Sequence, residues 1–216
     1  GARLLDLFVE SERQPMLEGG LPAAAREGSW SGETHLLARD GRAVPVSQVV
    51  LGHLSEKGVL EYYSLIARDI SERVRLEREL FTLAHHDALT GLVNRRGFLD
   101  ALEAEVALAR GAGRALAVLF MDLDGFKAVN DTGGHAAGDG LLASVGHLLA
   151  AVVRDNDVLG RLGGDEFAVV IPGADQEAAL SAADRVAEAV ARHRYVVDGR
   201  VFAVAASVGV ALFPRD

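Results

Sequence analysis

Helical and strand-like segments alternate from residue 85 onward, and this alternation limits the possible folds more than any other feature of the chain. Residue periodicity predicts helices at 96–110, 136–154 and 175–194. It predicts strands at 114–121, 157–162, 166–171 and 201–213, the last after a hairpin turn at Asp198–Gly199. Together these segments predict an α/β or α+β sandwich in which helices flank a mixed sheet, and we favour the α+β class.

The first 70 residues have a different pattern. Strand-like runs, separated by turn signals such as Asp40–Gly41, span 33–37, 43–54 and 59–70. Consecutive strands joined by short turns predict an antiparallel meander. Residues before Trp30 carry no strong pattern, although 2–8 are predicted as a short helix.

Residues 71–84 are predicted to form a helix that links the two regions. No Gly or Pro interrupts the run, and apolar residues recur at helical spacing at Val74, Leu80, Phe81 and Ala84. Two interpretations remain open: the helix packs on its own domain, or it forms a short parallel coiled coil between two protomers.

Composition excludes several classes of function. The net charge of -9 argues against binding a nucleic-acid backbone. The absence of cysteine excludes disulfides, thiolate zinc sites and cysteine nucleophiles. The longest uncharged apolar run, 201–213, is shorter than the roughly 18 residues of a membrane span. No signal peptide is recognisable, so we predict a cytoplasmic location with no membrane span in this chain.

One predicted strand ends in acidic residues. The run from Leu119 to Lys127 is apolar at first and then contains Asp122 and Asp124. Because strand residues alternate faces, these two carboxylates point the same way and Leu123 points into the core. We interpret Asp122 as a metal ligand, with Lys127 as a further partner, and Asp124 as the cap of the helix that follows.

A second acidic pair follows a predicted glycine turn. Gly163–Gly164 suits a tight hairpin and lets a ligand approach the backbone. Asp165 and Glu166 then lead into a buried strand. If this hairpin lies beside the first strand, Asp165 and Asp122 converge, and paired carboxylates with a backbone carbonyl suit Mg²⁺. A solvated acidic hairpin is the alternative.

These segments resemble the diguanylate cyclase (GGDEF) family. Residues 163–167 spell GGDEF, and four motifs occur in that family's order, at 86–95, 120–127 with 130–131, 134–139 and 163–167. The resemblance implies a fold similar to the palm of adenylyl cyclases and polymerases over 85–216. It also implies that the domain is incomplete at its C-terminal end, and Val93 and Gly133 depart from the family pattern.

The resemblance implies the activity and the roles of individual residues. Two GTP molecules would be joined into cyclic di-GMP with release of two pyrophosphates, at Mg²⁺ or Mn²⁺ held by Asp122, the Leu123 carbonyl and Asp165. The catalytic residues implied are Asp165, Glu166 and Lys127. The substrate-binding residues implied are Leu89, Asn130, His135, Asp139, Gly163 and Gly164. Each protomer would hold one GTP, so the active form would be a homodimer.

The resemblance also implies regulation at two places. Arg154 and Asp157 match the family's RxxD motif, which with Arg185 would bind cyclic di-GMP as an inhibitor. Residues 1–70 resemble the C-terminal part of a PAS sensor domain, with 71–84 as the signalling helix. His35 and His53 are interpreted as structural histidines rather than haem ligands. The alternative function is a catalytically inactive GGDEF domain that serves as a cyclic di-GMP receptor.

Overall fold

The computed structural model describes residues 4–214. The chain forms two compact units, residues 1–80 and 81–216. Within residues 4–214 no helix is both long and apolar enough to cross a membrane.

The first unit contains a three-stranded sheet. Its strands are β1 (Ser29–Leu37), β2 (Ala43–Leu54) and β3 (Leu60–Asp69), in the order β1-β2-β3. Both neighbouring pairs are antiparallel, so the predicted meander is confirmed. The predicted helix at 2–8 lies partly outside the described residues, and a short 3₁₀ helix covers Leu4–Leu7.

Two helices before this sheet were not predicted. They are α1 (Glu10–Pro15) and α2 (Leu21–Glu27), joined by a π-helical turn at Met16–Gly20. Prolines and paired glycines hide the helical pattern, although Pro22 is tolerated because it lies in the first turn of α2. The helices cover the sheet, and a core of Phe8, Met16, Leu21, Ala24 and Val50 is buried between them.

The second unit contains a four-stranded sheet. Its strands are β4 (Leu116–Asp124), β5 (Val158–Gly163), β6 (Glu166–Pro172) and β9 (Ala205–Phe213), in the order β5-β6-β4-β9. All three neighbouring pairs are antiparallel, so the prediction of a mixed sheet is wrong for these strand ladders. Each helical crossover skips one strand, so the parallel strands β4 and β5 never become neighbours.

Four longer helices complete the chain: α3 (Ser71–His85), α4 (Arg95–Ala112), α5 (Phe126–Val152) and α6 (Gln176–Arg192). The predicted helix at 136–154 begins ten residues earlier, at Phe126, and breaks at Gly134, where φ is 78° and ψ is 169°. The glycines at 133 and 134 concealed this first helical segment from periodicity.

The predicted strand at 201–213 is divided into two. Its first residues form β8 (Arg200–Phe202), which pairs with β7 (Tyr195–Val197), and β9 begins only at Ala205. The predicted turn at Asp198–Gly199 is confirmed, with φ of 49° and 73°. A small hairpin therefore stands between α6 and the last strand of the main sheet.

Helices cover both faces of the larger sheet. Leu119, Met121 and Leu123 of β4 pack with α5 and α6 in the main core. Leu116 and Val118, on the opposite face, pack with α4. The C-terminal end of β4 is exposed on the α4 side at Asp122 and Asp124.

Candidate active site

The end of β4 places two carboxylates on one face of the sheet. Asp122 and Asp124 are exposed, while Leu123 between them is only 2% exposed and lies in the main core. Asp122 is the register partner of Glu166 on β6. Residues directly opposite in an antiparallel pair point to the same face, so the Asp122 and Glu166 side chains are neighbours.

The glycine hairpin brings a further carboxylate to this point. Gly163 and Gly164 have φ of 143° and 54°, and Asp165 follows them partly buried. Partial loss of hydration, together with the negative charges of Asp165, Asp124 and Glu166, raises the pKa of Asp122. The structure therefore brings the acids at positions 122 and 165 into one negatively charged cluster.

The cluster has the chemistry of a site for a hard cation. Its donors are all oxygens, and the pKa of Asp122 is raised first by loss of hydration and then by the neighbouring negative charges. In the part of the chain that the structure describes, no three acidic or histidine side chains are close enough together to hold a metal by themselves. Mg²⁺ commonly uses one or two carboxylates with water and substrate phosphate, which this arrangement fits.

The interpretation of Asp124 as a helix cap is wrong. Helix α5 is capped by Gly125, with φ of 84° and no side-chain hydrogen bond. The Asp124 carboxylate instead accepts from the Ser207 hydroxyl at 2.9 and 3.1 Å. The sequence separation of 83 residues made this partner invisible to local pattern analysis.

Four of the other predicted site residues lie on α5, which follows β4 directly in the chain. Lys127 is exposed in the first turn of the helix, and His135 and Asp139 are exposed beyond the break at Gly134. Asn130 is half-buried, and its side-chain oxygen occupies the space where a Cβ at Gly138 would stand. The chain therefore turns back at the break in α5, and this turn brings the Asn130 side chain next to the residue before Asp139.

A partly buried ion pair supports the hairpin and was not predicted from the sequence. The Arg161 guanidinium donates to both carboxylate oxygens of Asp87 at 3.0 Å and to the Gly164 carbonyl oxygen at 2.8 and 3.0 Å. Asp87 also accepts from the backbone N–H and hydroxyl of Thr90. Leu89, in the same turn, is exposed. The only signals in the sequence were that Asp87 lies within the motif at 86–95 and that Arg161 comes two residues before the motif at 163–167.

A comparison with protein families agrees with this geometry. The family model described as "Diguanylate cyclase, GGDEF domain" matches residues 84–216. The chain belongs to the GGDEF family. The hairpin that bears Asp165 and Glu166 is the segment for which the family is named.

Curated relatives match this chain over part of their own, longer sequences. The chain is 42% identical over 148 residues to the probable diguanylate cyclase DgcE of Escherichia coli, covering 68% of this chain and 13% of DgcE. It is 36% identical over 174 residues to the diguanylate cyclase TpbB of Pseudomonas aeruginosa, covering 79% of this chain and 40% of TpbB. The chain thus spans less than half the length of either relative.

Solved structures share the fold. The coiled coil and GGDEF domain of DgcB from Caulobacter crescentus, in complex with c-di-GMP, superposes with a TM-score of 0.61 at 28% identity, over 65% of this chain and 76% of that one. A sensory box/GGDEF family protein from the same organism superposes with a TM-score of 0.58 at 43% identity, over 62% of this chain and 86% of that one.

The RxxD segment of this GGDEF domain forms a turn between α5 and β5. The backbone N–H of Arg154 donates to the Asp157 carboxylate at 2.9 Å, and the Asp157 N–H donates to the Arg154 carbonyl at 3.0 Å. The Arg154 side chain is exposed. Arg185 is exposed on α6, and among residues 4–214 it forms no hydrogen bond with Arg154 or Asp157.

Both histidines of the first unit have protein partners. His35 contacts Glu12 through its Nδ1 at 2.8 Å, and its backbone N–H donates to the same carboxylate. His53 contacts the Ser64 hydroxyl at 2.8 Å and stacks on Tyr62 with ring centroids 4.3 Å apart. These contacts agree with the interpretation of both as structural histidines.

Proposed function

We propose that the chain carries a diguanylate cyclase, which joins two GTP molecules into cyclic di-GMP and releases two pyrophosphates. The observation that carries the proposal is the grouping of Asp122 with Asp165 at the open end of the sheet, beside an intact GGDEF hairpin. The family match and the relatives named as diguanylate cyclases support it.

Mg²⁺ or Mn²⁺ would be held by Asp122, the Leu123 carbonyl and Asp165. Bound there, the ion would stabilise negative charge on the phosphate under attack. Asp165 accepts the proton of the ribose 3′-hydroxyl as that oxygen attacks the α-phosphate of the second GTP. Lys127 contacts the triphosphate as a point charge, and Glu166, opposite Asp122, adds a second acid to the cluster.

Recognition of guanine falls to the segment around the break in α5. The Asp139 carboxylate suits the N1–H and 2-amino donors of guanine, and Asn130 offers both a donor and an acceptor. Leu89 provides an apolar wall, and His135 lies next to the base. Gly163 and Gly164, which lack side chains, allow the hairpin backbone to approach the substrate.

Catalysis requires two GTP-loaded domains to meet, so the active form is a homodimer. Helix α3 supports this proposal because four of its apolar side chains are largely exposed, namely Leu76, Leu80, Phe81 and Leu83. Exposed apolar residues at this spacing suit a parallel pairing of two α3 helices. The solved DgcB structure, to which this chain is similar, comprises a coiled coil and a GGDEF domain.

Two regulatory features are proposed with the enzyme. Cyclic di-GMP would bind at Arg154, Asp157 and Arg185 and inhibit turnover, since an exposed guanidinium can stack on guanine and grip phosphate. The first unit would act as the C-terminal part of a PAS sensor. Contacts within it support coupling to α3: Arg73 donates to Glu33 of β1 at 2.5 Å, and the Ser71 N–H donates to Asp69 at 2.8 Å.

A turnover assay tests the proposed function. The chain and a version extended at both ends are incubated with GTP and Mg²⁺, and cyclic di-GMP and pyrophosphate are quantified. The proposal predicts product from the unaltered protein and none from Asp165→Ala with an unchanged circular dichroism spectrum. Absence of product from the extended protein, while GTP still binds, would instead favour a receptor for cyclic di-GMP.

A further inference from the structure

Three side chains from around the β7–β8 hairpin contact the segment that carries the proposed guanine-reading residues. Phe202 of β8 is 9% exposed and lies in the main core. A Cβ placed at Gly133 would lie 2.9 Å from the Phe202 ring and 2.6 Å from Ala137. The hairpin therefore packs directly on the residue before the break in α5.

The backbone at Gly133 does not itself require glycine. Positive φ occurs at Gly134, where it is 78°, and a Cβ there would meet no atom within 4 Å. Gly133 has no such φ, and its constraint is the lack of space between the Ala137 Cβ and the Phe202 ring. Gly133 and Phe202 are thus complementary in shape, with the ring filling the volume that a larger residue at 133 would need.

A hydrogen bond and a packing contact extend this arrangement to both sides of the break. The Arg200 guanidinium donates to the Thr132 carbonyl at 2.8 Å, on the side of Asn130. The Tyr195 hydroxyl occupies the position of a Cβ at Gly140, next to Asp139. At the base of the hairpin, His193 Nε2 and the Ser144 hydroxyl are 2.8 Å apart and fix it to α5.

We propose that the β7–β8 hairpin positions the nucleotide site: Phe202, Arg200 and Tyr195 hold residues 130–140 in the conformation in which Asn130 and Asp139 can read the base of GTP. The proposal rests on the proposed function, and it assigns to these three side chains a role in affinity and base selectivity. They are positioning residues that act through the α5 segment.

Steady-state kinetics of hairpin variants test this role. Phe202→Ala and Arg200→Ala are expected to raise KM for GTP by about tenfold or more, with kcat at saturation changed less than about twofold, because they displace groups that bind substrate and transition state alike. Phe202→Leu, which still fills most of the volume, should restore much of the affinity. Val201→Ala is the matched control, because Val201 lies on the same strand and is 63% exposed.

A measurement of base selectivity shows whether the hairpin side chains position the guanine-reading residues or only stabilise the fold. Inosine triphosphate lacks the 2-amino group that Asp139 is proposed to bind, so the ratio of KM for inosine triphosphate to KM for GTP should fall towards one in Phe202→Ala and Arg200→Ala. Arg200 is exposed, so its variant is expected to fold even if Phe202→Ala does not. Unchanged KM and an unchanged ratio in Arg200→Ala, together with GTP turnover by the unaltered chain, would overturn the hairpin proposal alone. Failure of the unaltered and extended proteins to bind GTP would overturn the proposed function instead.

Discussion

Arg161 joins Asp87 to the tip of the glycine hairpin. Its guanidinium donates to both Asp87 oxygens at 3.0 Å and to the Gly164 carbonyl, with only 12% of the Arg161 side chain and 22% of the Asp87 side chain exposed. One planar cation therefore fixes the hairpin that bears Asp165 against the turn that follows α3. The hairpin tip is solvent-facing, but this contact holds it to the rest of the domain.

We expect Arg161→Ala to destabilise the second unit by about 1–3 kcal/mol, because it leaves the partly buried Asp87 carboxylate without its cation. Arg161→Lys should recover only part of this loss, since an ammonium cannot form the fork to Asp87 and Gly164 together. Urea unfolding followed by circular dichroism measures both. Arg192→Ala is the control, because its 76%-exposed side chain pairs with Glu188 at the surface. Equal stability of the Arg161 and Arg192 variants would show that the Arg161–Asp87 ion pair does not stabilise the domain.

The same ion pair predicts a dependence of stability on pH. Burial acts to raise the pKa of Asp87, but the hydrogen bonds from Thr90 and Arg161 outweigh it, and the pKa lies below the ordinary value of 3.8. A carboxylate with a lowered pKa stabilises the fold above its unfolded value, and that contribution is lost as pH falls through the folded value. The stability difference between the unaltered chain and Asp87→Asn should therefore be largest at neutral pH and shrink below 3.8. A constant difference from pH 7 to pH 3 would exclude this mechanism.

The pKa of Asp122 is shifted upward, opposite to that of Asp87, and leads to a different prediction. Its raised pKa means that the ionised carboxylate is disfavoured in the folded protein at neutral pH. Without divalent cations, Asp122→Asn should be as stable as the unaltered chain or slightly more so, by less than about 1 kcal/mol because the group is exposed. Mg²⁺ should raise the melting temperature of the unaltered chain and have little effect on Asp122→Asn.

The variant Asp175→Asn is the control that shows whether the response to Mg²⁺ comes from Asp122. Asp175 also carries a carboxylate, but it caps α6 by accepting from the Ala178 N–H at 2.9 Å and is not among the charges that act on Asp122. Asp175→Asn should lose some stability and keep the full response to Mg²⁺. An equal response to Mg²⁺ in all three proteins would mean that the ion does not bind at Asp122.

Periodicity predicted the antiparallel meander and most of the helices and strands, because each has an apolar face that repeats at the spacing of its secondary structure. It failed where glycine and proline interrupt that spacing, as in the helices before Trp30 and in the first segment of α5. Periodicity could not predict the order of the strands in the sheet, because the pairing of β4 with β6 and β9 depends on contacts between segments far apart in sequence.

The sequence predicted site residues that lie next to each other in a motif. It did not predict contacts between residues that are far apart in the chain. Alternation along β4 correctly placed Leu123 in the core and Asp122 on the open face. Ser207, the partner of Asp124, comes from β9, and Phe202, which fills the space over Gly133, comes from a hairpin that sequence analysis merged with β9. Such complementarity requires the tertiary arrangement, since no local pattern links these residues.

The exposed face of α3 predicts how the chain associates. Leu80 and Leu83 are 65% and 72% exposed, and replacing both with lysine would place charges at the proposed helix–helix contact. We expect sedimentation equilibrium to show a loss of dimer and turnover to fall with it, most steeply at low protein concentration. Arg75→Ala is the control, because Arg75 pairs with Glu79 on the same helix at the surface. An unchanged dimer in Leu80→Lys/Leu83→Lys would place the dimer contact elsewhere.

The exposed side chain of Arg154 predicts that inhibition can be removed without loss of catalysis. Arg154 contributes its backbone N–H to the turn with Asp157, so Arg154→Ala leaves that hydrogen bond in place and removes only the guanidinium. Cyclic di-GMP affinity, measured by calorimetry, should fall at least about tenfold, because a charge-assisted contact to phosphate is lost, while initial turnover of GTP stays the same. Asp157→Ala should lose both the turn and the affinity, since its carboxylate caps the Arg154 N–H. Full product affinity in Arg154→Ala would show that cyclic di-GMP does not bind at this turn.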